Sequence, residues 1–112
     1  MTKVEAIILP NKIDAVKAAL FHLGIGGMTV SHVNGHGRQD GPVGVYRGAE
    51  YRMDFLPGIK IEMVLLDDQV DDAVDAIVEN AATGNIGDGK IFLSRIDDII
   101  RIRNQQRGVA AL

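Results

Sequence analysis

Ile59-Lys60-Ile61-Glu62-Met63-Val64-Leu65-Leu66, followed at once by Asp67-Asp68, is the stretch on which the fold turns. Alternation that passes into a continuous apolar run reads as a strand buried on at least one face. The two acids behind it suit the positive end of a helix. Val70, Val74, Ile77, Val78 and Ala81 then recur at helical spacing and form an apolar stripe. Gly84, Gly87 and Gly89 break that pattern, and Ile91 to Ile96 (I-F-L-S-R-I) begins another strand. The second half of the chain is therefore strand, helix, strand.

The first half repeats that order without repeating the sequence. Lys3 to Leu9 (K-V-E-A-I-I-L) reads as a mostly buried strand, ended by Pro10, which has no N–H to offer a ladder. Ile13, Val16, Leu20 and Leu23 make a helical stripe, and Gly24 supplies its stop. Met28 to Val33 (M-T-V-S-H-V) alternates strictly, as a half-exposed strand does. Joined, the halves specify an α+β fold of the ferredoxin-like βαββαβ kind, an antiparallel sheet with two helices on one face. The other sheet face is left bare. Ile7, Met63 and Leu65 are expected on it, and covering them with further copies of the chain is the economical solution.

The bulk properties agree with a single domain over 1–112. So small a domain has a modest stability margin, which oligomerisation remedies. At 46% hydrophobic and 24% charged the chain is globular; with 4% aromatics and no Trp, its core must be aliphatic. A net charge of -3 argues against binding nucleic acid, which needs a positive stripe to neutralise phosphates. With no Cys there are neither disulfides nor thiolate metal sites. No leader pattern and no apolar run of the ~18–20 residues that span a bilayer is visible, so the expected location is the cytoplasm.

One segment is too long for its place. Residues 37–58 join two strands that a short hairpin turn would connect, and they carry Gly37, Gly41, Gly44, Gly48, Pro42 and Pro57 together with two tyrosines. Such a loop cannot build a core of its own, and loops of this length in compact domains are functional or disordered. It is expected to be a long mobile interaction loop.

Three segments carry the chemistry. Thr83-Gly84-Asn85-Ile86-Gly87-Asp88-Gly89-Lys90 contains the string of a phosphate-binding P-loop, but it runs from helix to strand and is followed by Ile91 rather than Ser or Thr. Its glycines let backbone N–H groups converge on an anion beside the Lys90 charge. The same residues also suit a helix cap and turn with Lys90 in solvent. Gly35-His36-Gly37-Arg38-Gln39 combines close backbone approach with a guanidinium that pairs with phosphate, and with a side-chain carbonyl that suits a hard cation. Arg101-Ile102-Arg103, if extended, puts two guanidinium groups on one face, an arrangement suited to polyphosphate. His22, His32 and His36 are too scattered for a metal site, and Ser31 and Ser94 have no paired histidine that would make either a nucleophile.

Taken together, these segments resemble the P-II family of nitrogen-regulatory signalling proteins. The resemblance rests on Tyr46-Arg47-Gly48-Ala49-Glu50-Tyr51, on Thr83 with Gly87-Asp88-Gly89-Lys90-Ile91-Phe92, and on Gly27-Met28-Thr29-Val30, Gly35-x-Gly37-Arg38-Gln39, Asp54-Phe55-Leu56-Pro57 and Arg101-Ile102-Arg103. It implies a homotrimer with an adenine-nucleotide site in each cleft between neighbours. Thr29 would lie at the adenine or ribose. Gly37 and Arg38, with Gly87, Asp88, Gly89 and Lys90, would hold the phosphates, Gly35 would belong to the same nucleotide site, and Arg101 and Arg103 would reach in from the adjoining subunit. The resemblance also implies ATP with Mg²⁺, ADP as competitor, and Gln39 as a metal ligand only when 2-oxoglutarate is bound. The 37–58 loop would dock on a protein target, a membrane transporter or a metabolic enzyme, and Tyr51 stands where some relatives accept a nucleotidyl group.

The chain departs from the family pattern at Gly58, where members that bind 2-oxoglutarate carry a lysine for its distal carboxylate. The expectation is therefore an ATP/ADP sensor without 2-oxoglutarate. Two other readings are a small phosphate-handling enzyme and an amino-acid-binding regulatory domain, both at home on ferredoxin-like folds. Neither accounts for the long loop.

Overall fold

A computed structural model describes residues 1–35, 43–46, 49–52 and 56–112, with backbone alone for 43–46 and 49–52. The order is β1 (Thr2–Ile8), α1 (Ile13–His22), β2 (Thr29–Gly35), β3 (Val43–Tyr46), β4 (Ala49–Arg52), β5 (Leu56–Leu65), α2 (Val70–Ala81) and β6 (Gly89–Arg95). Four of these strands form an antiparallel sheet in the order β2-β5-β1-β6, the ferredoxin-like arrangement. The fifth and sixth, β3 and β4, pair with each other inside the segment expected as loop. Its last residues, Leu56 to Gly58, are strand and open β5.

Alternation decides which face is buried. Val4, Ala6 and Ile8 of β1 and Ile59, Ile61, Met63 and Leu65 of β5 point to one side, where they meet Val16 and Leu20 of α1 and Val70, Ala73, Ile77 and Ala81 of α2. The core is aliphatic, as the composition requires. Both helices open through a 3₁₀ turn, Pro10–Lys12 and Asp67–Gln69. At the second turn Gln69 Oε1 accepts from Leu66 N–H, which leaves Asp67 to accept from the Thr2 hydroxyl at 2.7 Å.

Two expectations are corrected here. Met63 and Leu65 belong to the core face; of the three residues assigned to the open face, Ile7 alone lies there. The register sets Ile7 opposite Lys60 and Glu5 opposite Glu62, so the centre of the open face is charged. The helical stripes also shift: Leu23 is 43% exposed and Val78 is 50% exposed, whereas Ala73 is fully buried. Alanine occupies the contact side of α2 where a larger residue was expected.

Candidate functional site

The Thr83–Gly89 loop is held by a side chain of its own. Asp88 Oδ2 accepts from Thr83 N–H at 2.8 Å and from Gly84 N–H at 2.9 Å, while Asp88 Oδ1 accepts from the Thr83 hydroxyl. The Thr83 Oγ1 atom in turn accepts from Asn85 N–H. The Thr83 hydroxyl, and then its main-chain N–H, hold the Asp88 carboxyl below the usual carboxylate range. Asp88 therefore shapes the loop from within. Gly87 and Gly89 adopt φ of 104° and 105°, conformations open to glycine and strained for other residues. At Gly89 an added Cβ would lie 1.7 Å from the Ile7 carbonyl oxygen. Only glycine lets β6 start so close to β1, and that approach sets Lys90, exposed, opposite Ile7 on the open sheet face.

Four strand termini meet at this end of the sheet. Ile8 pairs with Ile59 and with Gly89, and Gly35 pairs with Leu56. The register sets Gly89 level with His32 and Lys90 level with Ser31, between Thr29 and Gly35, with β2 and β6 at opposite edges, ~14 Å apart at ordinary strand spacing. Thr29 stands at the far end of β2, ~20 Å from Gly35 at the usual rise per residue. Gly37, Arg38 and Gln39 lie outside the described residues, as does the side chain of Tyr51, whose backbone pairs with Gly44.

Arg101 and Arg103 are not extended. Ile100 and Arg107 form an antiparallel bridge around a turn, Ile102 is 97% exposed, and Gln105 takes a positive φ of 59°. Asn104 accounts for this: its Oδ1 accepts from Gln106 N–H and its amide donates to Gln106 Oε1, the local bonding by which Asn favours turns over strands. The Arg101 guanidinium is turned onto this same segment, donating from Nη1 to Gln106 Oε1 at 2.6 Å and from Nη2 to the main-chain oxygens of Ala110 and Leu112. Asp98 closes the segment from the other side, accepting from Arg107 Nη1 and from Gly108 N–H.

The open face holds a group that the sequence reading missed. Lys3 Nζ lies 2.9 Å from Glu5 and 3.5 Å from Glu62; Lys60 Nζ lies 3.2 Å from Glu62 and 4.0 Å from Glu5. The Lys60 contact, first among several causes, lowers the Glu62 pKa, and Glu5 raises that of Lys3. The signal was present in Lys3-x-Glu5 and Lys60-x-Glu62, two pairs at strand period on neighbouring strands. Beside this quartet, Gly58 is buried on the same face. A Cβ there would make ordinary contacts of 3.5 Å with Ile7 and Val33, so the backbone does not require glycine.

Comparison with known proteins places the chain in a family. The model of the family "Nitrogen regulatory protein P-II" matches residues 1–106. The Nitrogen regulatory protein P-II of Mesorhizobium japonicum is 54% identical over 112 residues, covering 100% of both chains. The Nitrogen regulatory protein P-II 1 of Escherichia coli (strain K12) is also 54% identical over 112 residues, and the Nitrogen regulatory protein P-II of Pasteurella multocida (strain Pm70) is 52% identical, each again over 100% of both chains. The relatives bear the names of regulatory proteins, and the comparisons favour neither the phosphate-handling enzyme nor the amino-acid-binding domain.

Proposed function

The chain belongs to the nitrogen regulatory protein P-II family, and we propose that it signals by binding ATP or ADP between copies of itself in a homotrimer. It acts as a nitrogen-regulatory signalling protein and not as an enzyme. The observation that carries the reading is the separation of its polar groups. Gly87, Gly89 and Lys90 stand at the β6 edge of the sheet, while Thr29 and Gly35 stand on β2 at the opposite edge, ~14 Å or more away. One small ligand reaches both groups only if a second copy brings its own Thr29, Arg101 and Arg103 to the Gly87–Lys90 loop. The charged open face, with its cations and anions already paired, suits burial against such a copy better than four isolated charges would.

In this reading the glycine backbone and Lys90 hold the phosphates, with Arg38 joining from the base of the 37–58 loop. Asp88 keeps the loop in shape. ATP and ADP differ in the charge they present to Arg38, and that difference biases which targets the loop engages. Magnesium accompanies ATP, and the discrimination needs no protein ligand for it; Gln39 would supply one only alongside 2-oxoglutarate.

That metabolite lacks the lysine that would meet its distal carboxylate at position 58. Gly58 offers no cation, and Lys60, the nearest one on β5, is already held by Glu62 and Glu5. The chain therefore reports adenylate state alone, in the cytoplasm, and meets the membrane only through a transporter target. No helix among the described residues is long and apolar enough to cross a membrane. Tyr51 is open to nucleotidylation by position. The test is equilibrium binding of ATP and ADP to wild type and Lys90→Ala. A loss of about tenfold or more is expected on removing a charged phosphate contact; unchanged affinity for both nucleotides would sink the reading.

A further inference from the structure

We infer that the Gly108–Leu112 segment is a latch on Arg101, and that it must lift before this guanidinium can grip a phosphate. The inference rests on the proposed nucleotide site and adds a regulatory contact to it. A guanidinium binds phosphate or carboxylate in a fork along one of two edges, Nε with Nη2 or Nη1 with Nη2. Both edges need Nη2. Here Nη2 donates to the Ala110 carbonyl at 3.1 Å and to the Leu112 main-chain oxygen at 3.3 Å, so both of its hydrogens are used. Nη1 is drawn to Gln106 Oε1 at 2.6 Å. Neither edge is open while the segment lies on Arg101.

The latch has its own fastening. Gly108 N–H donates to Asp98 Oδ1 at 2.9 Å and to the Ile99 carbonyl at 3.0 Å, and Arg107 Nη1 donates to Asp98 Oδ2 at 3.0 Å. From this anchor the 3₁₀ turn Gly108–Ala111 brings the 110 and 112 main-chain oxygens onto Arg101. Gly108 adopts a φ of 65°, and an added Cβ would meet nothing within 4 Å. A Gly108→Ala substitution thus loosens the turn through backbone strain alone and leaves every contact atom in place.

Release and binding are linked. If the closed form dominates, the apparent affinity for a polyphosphate is reduced by the fraction of chains that are open. Loosening the latch then tightens binding, the opposite of what damage to a binding surface produces.

The experiment titrates ATP and, separately, inorganic triphosphate into wild type, Gly108→Ala, Asp98→Ala, Arg101→Ala and the Gly108→Ala/Arg101→Ala double variant. Gly108→Ala and Asp98→Ala are expected to bind several-fold more tightly than wild type. That gain should vanish in the double variant, which ties it to Arg101. ATP affinity equal to or weaker than wild type in both loosened variants overturns the latch and leaves the nucleotide site standing. Tighter triphosphate binding with no ATP binding supports the latch and removes the nucleotide reading. No binding of either ligand to any variant overturns both.

Discussion

Asp88 and Thr83 close one loop between them: the carboxylate of the first accepts from both the main-chain N–H and the hydroxyl of the second. The contact depends on the ionised acid. The folded-state pKa of Asp88 is lowered, so the unfolded chain binds more protons in the acid range and stability rises with pH there. The contribution is complete above the unfolded value of about 4 and is lost as pH falls through the lower folded value. Thermal melts of wild type should decline more steeply below pH ~4 than those of Asp88→Ala, which starts lower and lacks this component. Parallel curves would remove the role given to the Asp88 carboxylate. Asp67, Asp98 and Glu62 are lowered as well and set the slope both proteins share.

Two glycines, on the strands that flank β1, should respond in opposite ways. At Gly89 a methyl group would collide with the Ile7 carbonyl, whereas at Gly58 it would rest at ordinary contact distance. Gly89→Ala is expected to cost more than about 3 kcal/mol in urea unfolding or to prevent folding. Gly58→Ala should change stability by less than about 1 kcal/mol. Equal effects would contradict the register that sets Gly89 against Ile8.

Helix α2 offers a similar contrast within one turn. Ile77 is 1% exposed and Val78 is 50% exposed. Ile77→Ala should cost about 2–5 kcal/mol, and Val78→Ala should stay within about 0.5 kcal/mol of wild type. Chemical denaturation of the two variants checks it.

Much of the fold was legible because its signals are periodic. Four strands and two helices followed from period-two and helical spacing, and the glycines marked their ends. What failed was parity and size. Met63 and Leu65 share a face with Ile59 and Ile61, and Ile7 sits opposite Lys60 on the other, a relation that depends on pairing register rather than on either strand alone. In α2 the stripe was drawn through the larger residues, but the buried side includes Ala73 and leaves Val78 outside. Candidate site residues could be picked out from the sequence, but their geometry could not. Nothing in Arg101-Ile102-Arg103 foretells that Asn104 turns the chain and that the following main-chain oxygens take the guanidinium.

Gly58 makes a claim about specificity that a single substitution addresses. The position admits a Cβ at ordinary contact distances and faces the same way as Lys60. Gly58→Lys should make Mg-ATP binding respond to 2-oxoglutarate, while wild type should not respond. Enhancement already present in wild type would show that the metabolite is held by other groups.

The most direct measurement is complementation between chains. Lys90→Ala and Arg101→Ala proteins, each weak in ATP binding alone, are mixed, unfolded and refolded together, and their ATP binding is measured by calorimetry. If the site is built from two copies, random assembly restores about one quarter of the sites to wild-type affinity, because some clefts join an intact Lys90 to an intact Arg101. If both residues serve a site within one chain, every site still lacks one of them. No recovery in a mixture that has reassembled, or no ATP binding by the wild type itself, would contradict the account.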